Sequence, residues 1–311
     1  MGIFTKYNKN MMTKILSIDG GGIRGVAALQ QLIEFRKLID EPLHKYFDYV
    51  SGTSTGSIIA GLISIGLEPI EILTLYDIHG EDIFDKRFFR FGIFRSKYSD
   101  KKLNEVLRQY TKDKKLKEAQ TKLIIPAYNS TKREIKIFKS YKDGVEHSLF
   151  DVIRASSAAP TFFNPWKIQE QVFVDGGLVA NNPALISLIE AIKDGKQDIS
   201  ILSFSTGLVE ESISQSKTER GIVGMASPTI DILITEQAEM VDYTLSKLYE
   251  FAKIEGEYLR CPTLIDRASK SMDDASKDNI ENLIEDGRYS AKINKDKFIK
   301  FINSSDKRAT A

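Results

Sequence analysis

Two glycine-rich segments of this sequence hold the groups that acyl transfer requires, a nucleophile and a set of N–H donors. The later segment, Gly52-Thr53-Ser54-Thr55-Gly56, fits the pattern G-x-S-x-G and follows the strand-like run 47–51. A serine in such a strand-to-helix turn projects its hydroxyl from the sheet, and flanking glycines avoid steric clashes. The spacing predicts Ser54 as a nucleophile supported by Gly52 and Gly56. A plain turn in which Ser54 caps a helix is the alternative.

The earlier segment, Asp19-Gly20-Gly21-Gly22-Ile23-Arg24-Gly25, closes the apolar run 15–18. It fits G-x-G-x-x-G, which can hold a dinucleotide pyrophosphate, but the second strand ends in the serine turn rather than in the acid that this fingerprint requires. In a second interpretation the loop N–H groups form an oxyanion hole, and Arg24 adds charge or braces the loop. The donors would then be Gly20, Gly21, Gly22 and Gly25. A glycine turn without a ligand is the third interpretation.

A nucleophilic serine needs a base, and the chain contains three histidines, His44, His79 and His147. None of them lies in a glycine turn at a strand end, so a Ser-His-Asp triad is not expected. Asp175 follows the strand-like run 171–174 and precedes Gly176 and Gly177, at a strand end where chemistry collects in open α/β sheets. A buried carboxylate can accept a serine proton directly once burial raises its pKa. A common turn aspartate is the alternative.

Four motifs in chain order resemble those of the patatin-like phospholipases. They are DGGGIRG at 19–25, GTSTG at 52–56, ASSAAPTFF at 155–163, and DGG at 175–177 with NNP at 181–183. The resemblance extends from about residue 14 to residue 207. It implies Ser54 as the nucleophile, Asp175 as its dyad partner and base, and the loop 20–25 as the oxyanion hole, with no metal or cofactor.

The same resemblance implies a lipid acyl hydrolase of phospholipase A or lysophospholipase type. Such an enzyme cleaves carboxylic esters of membrane lipids through an acyl-enzyme, so its partner is a membrane phospholipid or another acyl lipid. Two alternatives stay open: a dinucleotide-binding protein that uses the loop Gly20–Gly25, and a regulated or inactive effector of the same family.

The elements that must position these residues follow from hydrophobic periodicity. Strands are predicted at 14–19, 47–51, 122–128, 134–138, 171–174 and 199–204, and helices at 26–39, 55–66, 71–76 and from Pro183 onward. This alternation predicts a three-layer α/β/α fold with a mainly parallel central sheet. Short apolar patterns after residue 229 predict a helical C-terminal tail. The expected organisation is an N-terminal extension (1–13), a catalytic core (14–210) and a helical part (211–311) packed on or appended to the core.

Composition limits the functional classes. The 311 residues are 42% hydrophobic and carry a net charge of +1, which gives no general attraction to nucleic acid. Cys261 is the only cysteine, so no intrachain disulfide can form, as in a reducing compartment. Residues 1–13 do not resemble a secretory signal, and the apolar run 58–65 is too short to span a bilayer. These features predict a cytoplasmic protein.

One segment suggests peripheral contact with a membrane. Phe84–Arg95 alternates aromatic rings with basic side chains, a composition that suits the headgroup layer of a bilayer. An ordinary insertion whose rings fold over the core is the alternative interpretation. The segment therefore predicts membrane contact without establishing it.

Overall fold

The computed structural model describes residues 12–83, 98–142, 146–207, 221–252 and 254–309, with backbone alone at 221–231 and 305–309. The strands are β1 (Thr13–Ile18), β2 (Tyr49–Gly52), β3 (Lys122–Asn129), β4 (Glu134–Lys139), β5 (Trp166–Ile168), β6 (Gln171–Val174), β7 (Ile199–Phe204) and β8 (Tyr258–Cys261). The helices are α1 (Gly25–Arg36), α2 (Leu43–Tyr46), α3 (Thr55–Ser64), α4 (Pro69–Ile83), α5 (Asp100–Thr111), α6 (Leu149–Ser156), α7 (Gly177–Ala180), α8 (Ala184–Lys193), α9 (Gly221–Phe251) and α10 (Lys277–Ala309).

The strands of the described residues form one sheet in the order β5-β6-β3-β2-β1-β7-β8, with β4 also paired to β3. The run from β3 to β8 is parallel, whereas β4, β5 and β6 join it through antiparallel pairings. Ile18 at the end of β1 lies opposite Gly52 at the end of β2. Since the carboxyl ends of parallel strands share one sheet edge, the glycine loop and the serine turn emerge side by side.

The central strands are buried on both faces, which explains their nearly continuous apolar sequences. One face, including Leu16 and Ile18, belongs to the larger apolar cluster with α1, α3, α4 and α10. The other face, including Ile15, packs against α8 and Leu245 of α9. Helices on both sides of a mainly parallel sheet confirm the predicted three-layer α/β/α fold.

The C-terminal part differs in detail from the sequence prediction. Short helical patterns were expected after residue 229, but residues 221–251 and 277–309 form two long helices. The strand β8 between them was not predicted, because four residues that include an arginine and a cysteine make a weak strand signal. β8 pairs with β7, so residues on both sides of position 210 contribute to one sheet. The division of the chain at residue 210 stays a prediction.

Two sequence predictions fall wholly or mostly outside the described residues: the membrane-contact segment Phe84–Arg95 and the N-terminal extension (1–13), of which only residues 12 and 13 are described. Within the described ranges, no helix is both long enough and apolar enough to cross a bilayer.

Candidate active site

Ser54 occupies a strained turn between β2 and α3. Its φ of 54° and ψ of −121° are values that a residue with a side chain rarely adopts. The turn is tight because a Cβ on Gly52 would overlap the carbonyl of Gly56, and a Cβ on Gly56 would overlap the carbonyl of Ile18. The apolar run behind the turn becomes α3, whose residues are all buried. The geometry therefore holds the Ser54 hydroxyl at the carboxyl edge of the sheet, as the sequence predicts.

Asp175 lies directly against that hydroxyl. The Ser54 Oγ donates a hydrogen bond of 2.7 Å to Asp175 Oδ2, and the Gly177 N–H donates one of 2.7 Å to Asp175 Oδ1. The Asp175 side chain is buried, and burial raises its pKa to about 6. The two hydrogen bonds and the charge of Arg154 oppose this shift but do not cancel it. A carboxyl group with such a pKa can exchange a proton with a serine near neutral pH.

Ser156, in the last turn of α6, connects Ser54 to the sheet through hydrogen bonds. Its hydroxyl accepts a hydrogen bond of 3.1 Å from the Ser54 N–H and donates one of 2.7 Å to the carbonyl of Pro126 in β3. Its own carbonyl accepts the Gly176 N–H at 3.1 Å, beside Asp175. Ser156 lies in the motif ASSAAPTFF at 155–163, but no role was predicted for it. Its position in that motif was the signal from which a role in the site could have been predicted.

Arg154 places a buried positive charge behind the pair. Its guanidinium forms an ion pair of 2.8 Å with Asp100 and a hydrogen bond of 2.7 Å to Asn104, both in α5. Its centre lies 4.9 Å from the Trp166 ring centroid. Burial lowers the pKa of Arg154 to about 10, so it stays charged at neutral pH and favours the ionised form of Asp175.

The glycine loop leads through a 3-10 turn (Gly22–Arg24) into α1 and lies next to Ser54. A Cβ on Gly20 would come within 3.1 Å of the Ser54 Cβ. The Gly20 N–H donates to the Asn181 carbonyl, and the Gly25 N–H donates to the Gly22 carbonyl, so both donors are already engaged. The oxyanion role predicted for Gly20 and Gly25 therefore does not fit their hydrogen bonds.

Gly21 and Gly22 are the remaining predicted donors of the loop. Within the part of the chain that the structure describes, neither N–H group has a protein acceptor. Gly22 has a φ of +60°, in the left-handed region that favours glycine, and the backbone of Met272 packs against it. The oxyanion role of these two glycines stays a prediction.

An ion pair holds the start of the loop. Arg260 of β8 contacts both carboxylate oxygens of Asp19, at 3.0 and 2.5 Å, and the Thr206 hydroxyl donates to the Gly20 carbonyl at 2.5 Å. Arg24 is buried behind the loop. Arg260 braces Asp19 with an ion pair that was not predicted, because no sequence motif covers β8. The bracing role of Arg24 stays a prediction.

The histidines lie elsewhere. His79 packs against Tyr110 and His147 against Phe138, with ring centroids 6.5 and 5.7 Å apart, and His44 lies in α2. Among the described residues, no histidine is hydrogen-bonded to Ser54 or Asp175. The site can therefore perform serine chemistry with a carboxylate base. The position of the glycine loop against Ser54 favours the oxyanion interpretation over dinucleotide binding.

Known proteins resemble this chain along most of its length. The model of the family described as patatin-like phospholipase matches residues 16–188. Patatin-like protein 2 of Arabidopsis thaliana is 30% identical to the chain, over 89% of this chain and 82% of the relative. The cGAMP-activated phospholipase of Vibrio cholerae is 27% identical, over 92% of both chains.

A solved structure shares the fold at low sequence identity. Human GIVD cytosolic phospholipase A2 superimposes with a TM-score of 0.55 at 11% identity. The match covers 96% of this chain and 61% of the human chain. The likeness concerns the fold, which is the fold that the sequence predicted.

Proposed function

The chain belongs to the patatin-like phospholipase family, and we propose that it is a lipid acyl hydrolase of phospholipase A or lysophospholipase type. The observation that carries this proposal is the hydrogen bond of 2.7 Å between the Ser54 hydroxyl and the buried Asp175 carboxylate. A strained serine turn, a carboxylate of raised pKa and loop N–H groups without an acceptor among the described residues are the parts that ester cleavage requires. The names of relatives in the family point to phospholipids as the ester.

Acylation begins when Asp175 takes the hydroxyl proton of Ser54 as Oγ attacks the ester carbonyl carbon. The carbonyl π electrons move onto oxygen, and the N–H groups of Gly21 and Gly22 stabilise that oxyanion. When the tetrahedral intermediate collapses, the C–O bond to the lipid alcohol breaks and the proton on Asp175 passes to the leaving oxygen. The products are an acyl-Ser54 ester and a lysolipid or other alcohol.

Deacylation repeats the sequence with water. Acylated Ser54 no longer donates to Asp175, which leaves the Oδ2 atom available to accept a proton from an attacking water molecule. Hydroxide adds to the acyl carbonyl, the bond to Ser54 Oγ breaks, and Asp175 returns the proton to Oγ. A fatty acid leaves and the enzyme is restored. Another alcohol in place of water would give acyl transfer.

The direct test is incubation of the purified chain with phosphatidylcholine and phosphatidylglycerol vesicles, followed by mass spectrometry of the lipids. We expect free fatty acid and lysophospholipid in equal molar amounts from the first cleavage. Since two bacterial relatives are named as nucleotide-activated phospholipases, parallel reactions contain cGAMP or cUMP-AMP. Release of phosphate-containing headgroups without fatty acid, or no cleavage in any reaction, would contradict the proposal.

The rate should depend on the ionisation of Asp175. Its pKa is raised to about 6, and only the ionised form can accept the Ser54 proton. We therefore expect kcat/KM for a soluble ester to rise with pH up to about 6 and to fall about tenfold for each pH unit below that value. A pH–rate profile with 4-nitrophenyl butyrate measures this fall of kcat/KM at acidic pH. A flat profile down to pH 4 would contradict Asp175 as the base.

A further inference from the structure

A single peptide group, between Ala180 and Asn181, joins the catalytic segments to helix α9. Its carbonyl accepts a hydrogen bond of 2.6 Å from the hydroxyl of Thr53, the residue before Ser54. Its N–H donates to Oε1 of Gln237. Thr53 and Asn181 are both buried, and Gln237 is partly buried. Buried polar groups such as these are normally hydrogen-bonded within the protein. The peptide is therefore held from both sides, by the nucleophile turn and by α9.

The same junction reaches the other two parts of the site. The Asn181 carbonyl accepts the Gly20 N–H at 3.2 Å, and the Asn181 side-chain amide approaches the Gly20 carbonyl at 3.4 Å. Asn181 also directly follows the short helix α7, whose first residue, Gly177, donates its N–H to Asp175. Asn181 is thus connected to the turn of Ser54, to the segment of Asp175 and to the glycine loop. Helix α9 supplies the acceptor for the Asn181 N–H.

On the basis of the proposed function, we propose that Gln237 is a positioning residue of this active site. It contacts no reacting atom. Its side-chain carbonyl fixes the orientation of the 180–181 peptide, and this orientation places Thr53 next to Ser54 and Asn181 against Gly20. Hydrogen bonds on opposite sides of one peptide group reinforce each other, so loss of the Gln237 acceptor also weakens the bond to Thr53. Gln237 lies outside the residues that the family model matches.

Two substitutions separate this role from general packing. Gln237→Met keeps the length and shape of the side chain but removes the acceptor, whereas Gln237→Glu keeps an acceptor oxygen at the same reach. We expect Gln237→Met to lower kcat for 4-nitrophenyl butyrate and the rate of fluorophosphonate labelling by about 10–100-fold, with KM changed less than about threefold. Gln237→Glu should keep both rates within about fivefold of the wild type.

Glu236→Met is the matched control, because Glu236 is the exposed neighbour of Gln237 on the same helix. Its hydrolysis rate and its labelling rate should both equal those of the wild type.

Thr53→Val tests the peptide group that Thr53 and Gln237 share. The double variant Thr53→Val, Gln237→Met should be less than about threefold slower than the slower of the two single variants. Unchanged rates in Gln237→Met, or losses that multiply, would overturn the inference. A rate below about one tenth of wild type in folded Gln237→Glu would also overturn it, whatever the methionine variant does. A wild-type protein that neither labels nor hydrolyses would instead count against the proposed function.

Discussion

Ser54→Ala is expected to lower kcat/KM for phospholipid and soluble-ester hydrolysis by at least about 10⁴-fold. The substitution removes the atom that we propose to form the acyl-enzyme, and among the described residues no other hydroxyl is hydrogen-bonded to Asp175. The loop N–H groups would remain and would account for any residual rate. Initial rates with vesicles and with 4-nitrophenyl butyrate measure the loss.

The control for this variant is Ser64→Ala. Ser64 is a buried serine at the other end of α3, and its hydroxyl donates to the Gly61 carbonyl at 2.7 Å. Its replacement removes the same hydroxyl group from the same helix and should leave kcat within about twofold of the wild type, since it lies outside the site. Equal activity of Ser54→Ala and wild type would show that the chain is a catalytically silent member of its family or acts through another residue.

Asp175→Asn is expected to lower kcat by about 10³-fold and to stabilise the fold at the same time. The activity falls because an amide cannot accept the Ser54 proton. The stability rises because the folded protein holds a charged carboxylate whose pKa is raised by burial from its ordinary range to about 6. Such a group contributes its full stability below its unfolded pKa and loses it as pH rises through the folded pKa. At neutral pH, ionisation of buried Asp175 therefore lowers the free energy of unfolding of the wild type by about 1–3 kcal/mol, and asparagine avoids this loss.

Thermal unfolding at two pH values checks this second effect. Near pH 7.5 the melting temperature of Asp175→Asn should exceed that of the wild type by about 2–5 °C, and the difference should shrink toward pH 4. Asp286→Asn is the control, because Asp286 is also buried but accepts the N–H groups of residues 266–268. It should lose stability and keep its kcat. A destabilised Asp175→Asn would mean that Asp175 serves mainly as a structural acceptor.

The sequence was sufficient to find the residues that meet at the sheet edge. Ser54 and Asp175 were predicted from short motifs, and strand periodicity was strong enough to place each at the carboxyl end of a strand, although β3 lies between β2 and β6 in the sheet. The predicted strand at 199–204 matches β7, because a run buried on both faces is apolar throughout. Local pattern therefore identified the groups that the structure brings within 2.7 Å.

The surroundings of the pair could not be predicted in the same way. Arg260 and Gln237 act through contacts with residues 241 and 56 positions away in sequence, and neither lies in a recognisable motif. Gly20 and Gly25 were assigned as oxyanion donors because a glycine run shows where N–H groups are, but not which carbonyls already bind them. These partners depend on tertiary packing, which periodicity does not report.

Covalent labelling with a fluorophosphonate, followed by peptide mass spectrometry, is the measurement that tests the central claim most directly. The probe reacts with an activated serine and needs no knowledge of the lipid. The account predicts one adduct per chain, on the peptide that contains Ser54, absent from Ser54→Ala and formed much more slowly in Asp175→Asn. An adduct on a different residue, or an equal labelling rate in Asp175→Asn and wild type, would contradict the assignment of Ser54 and Asp175 as the catalytic pair.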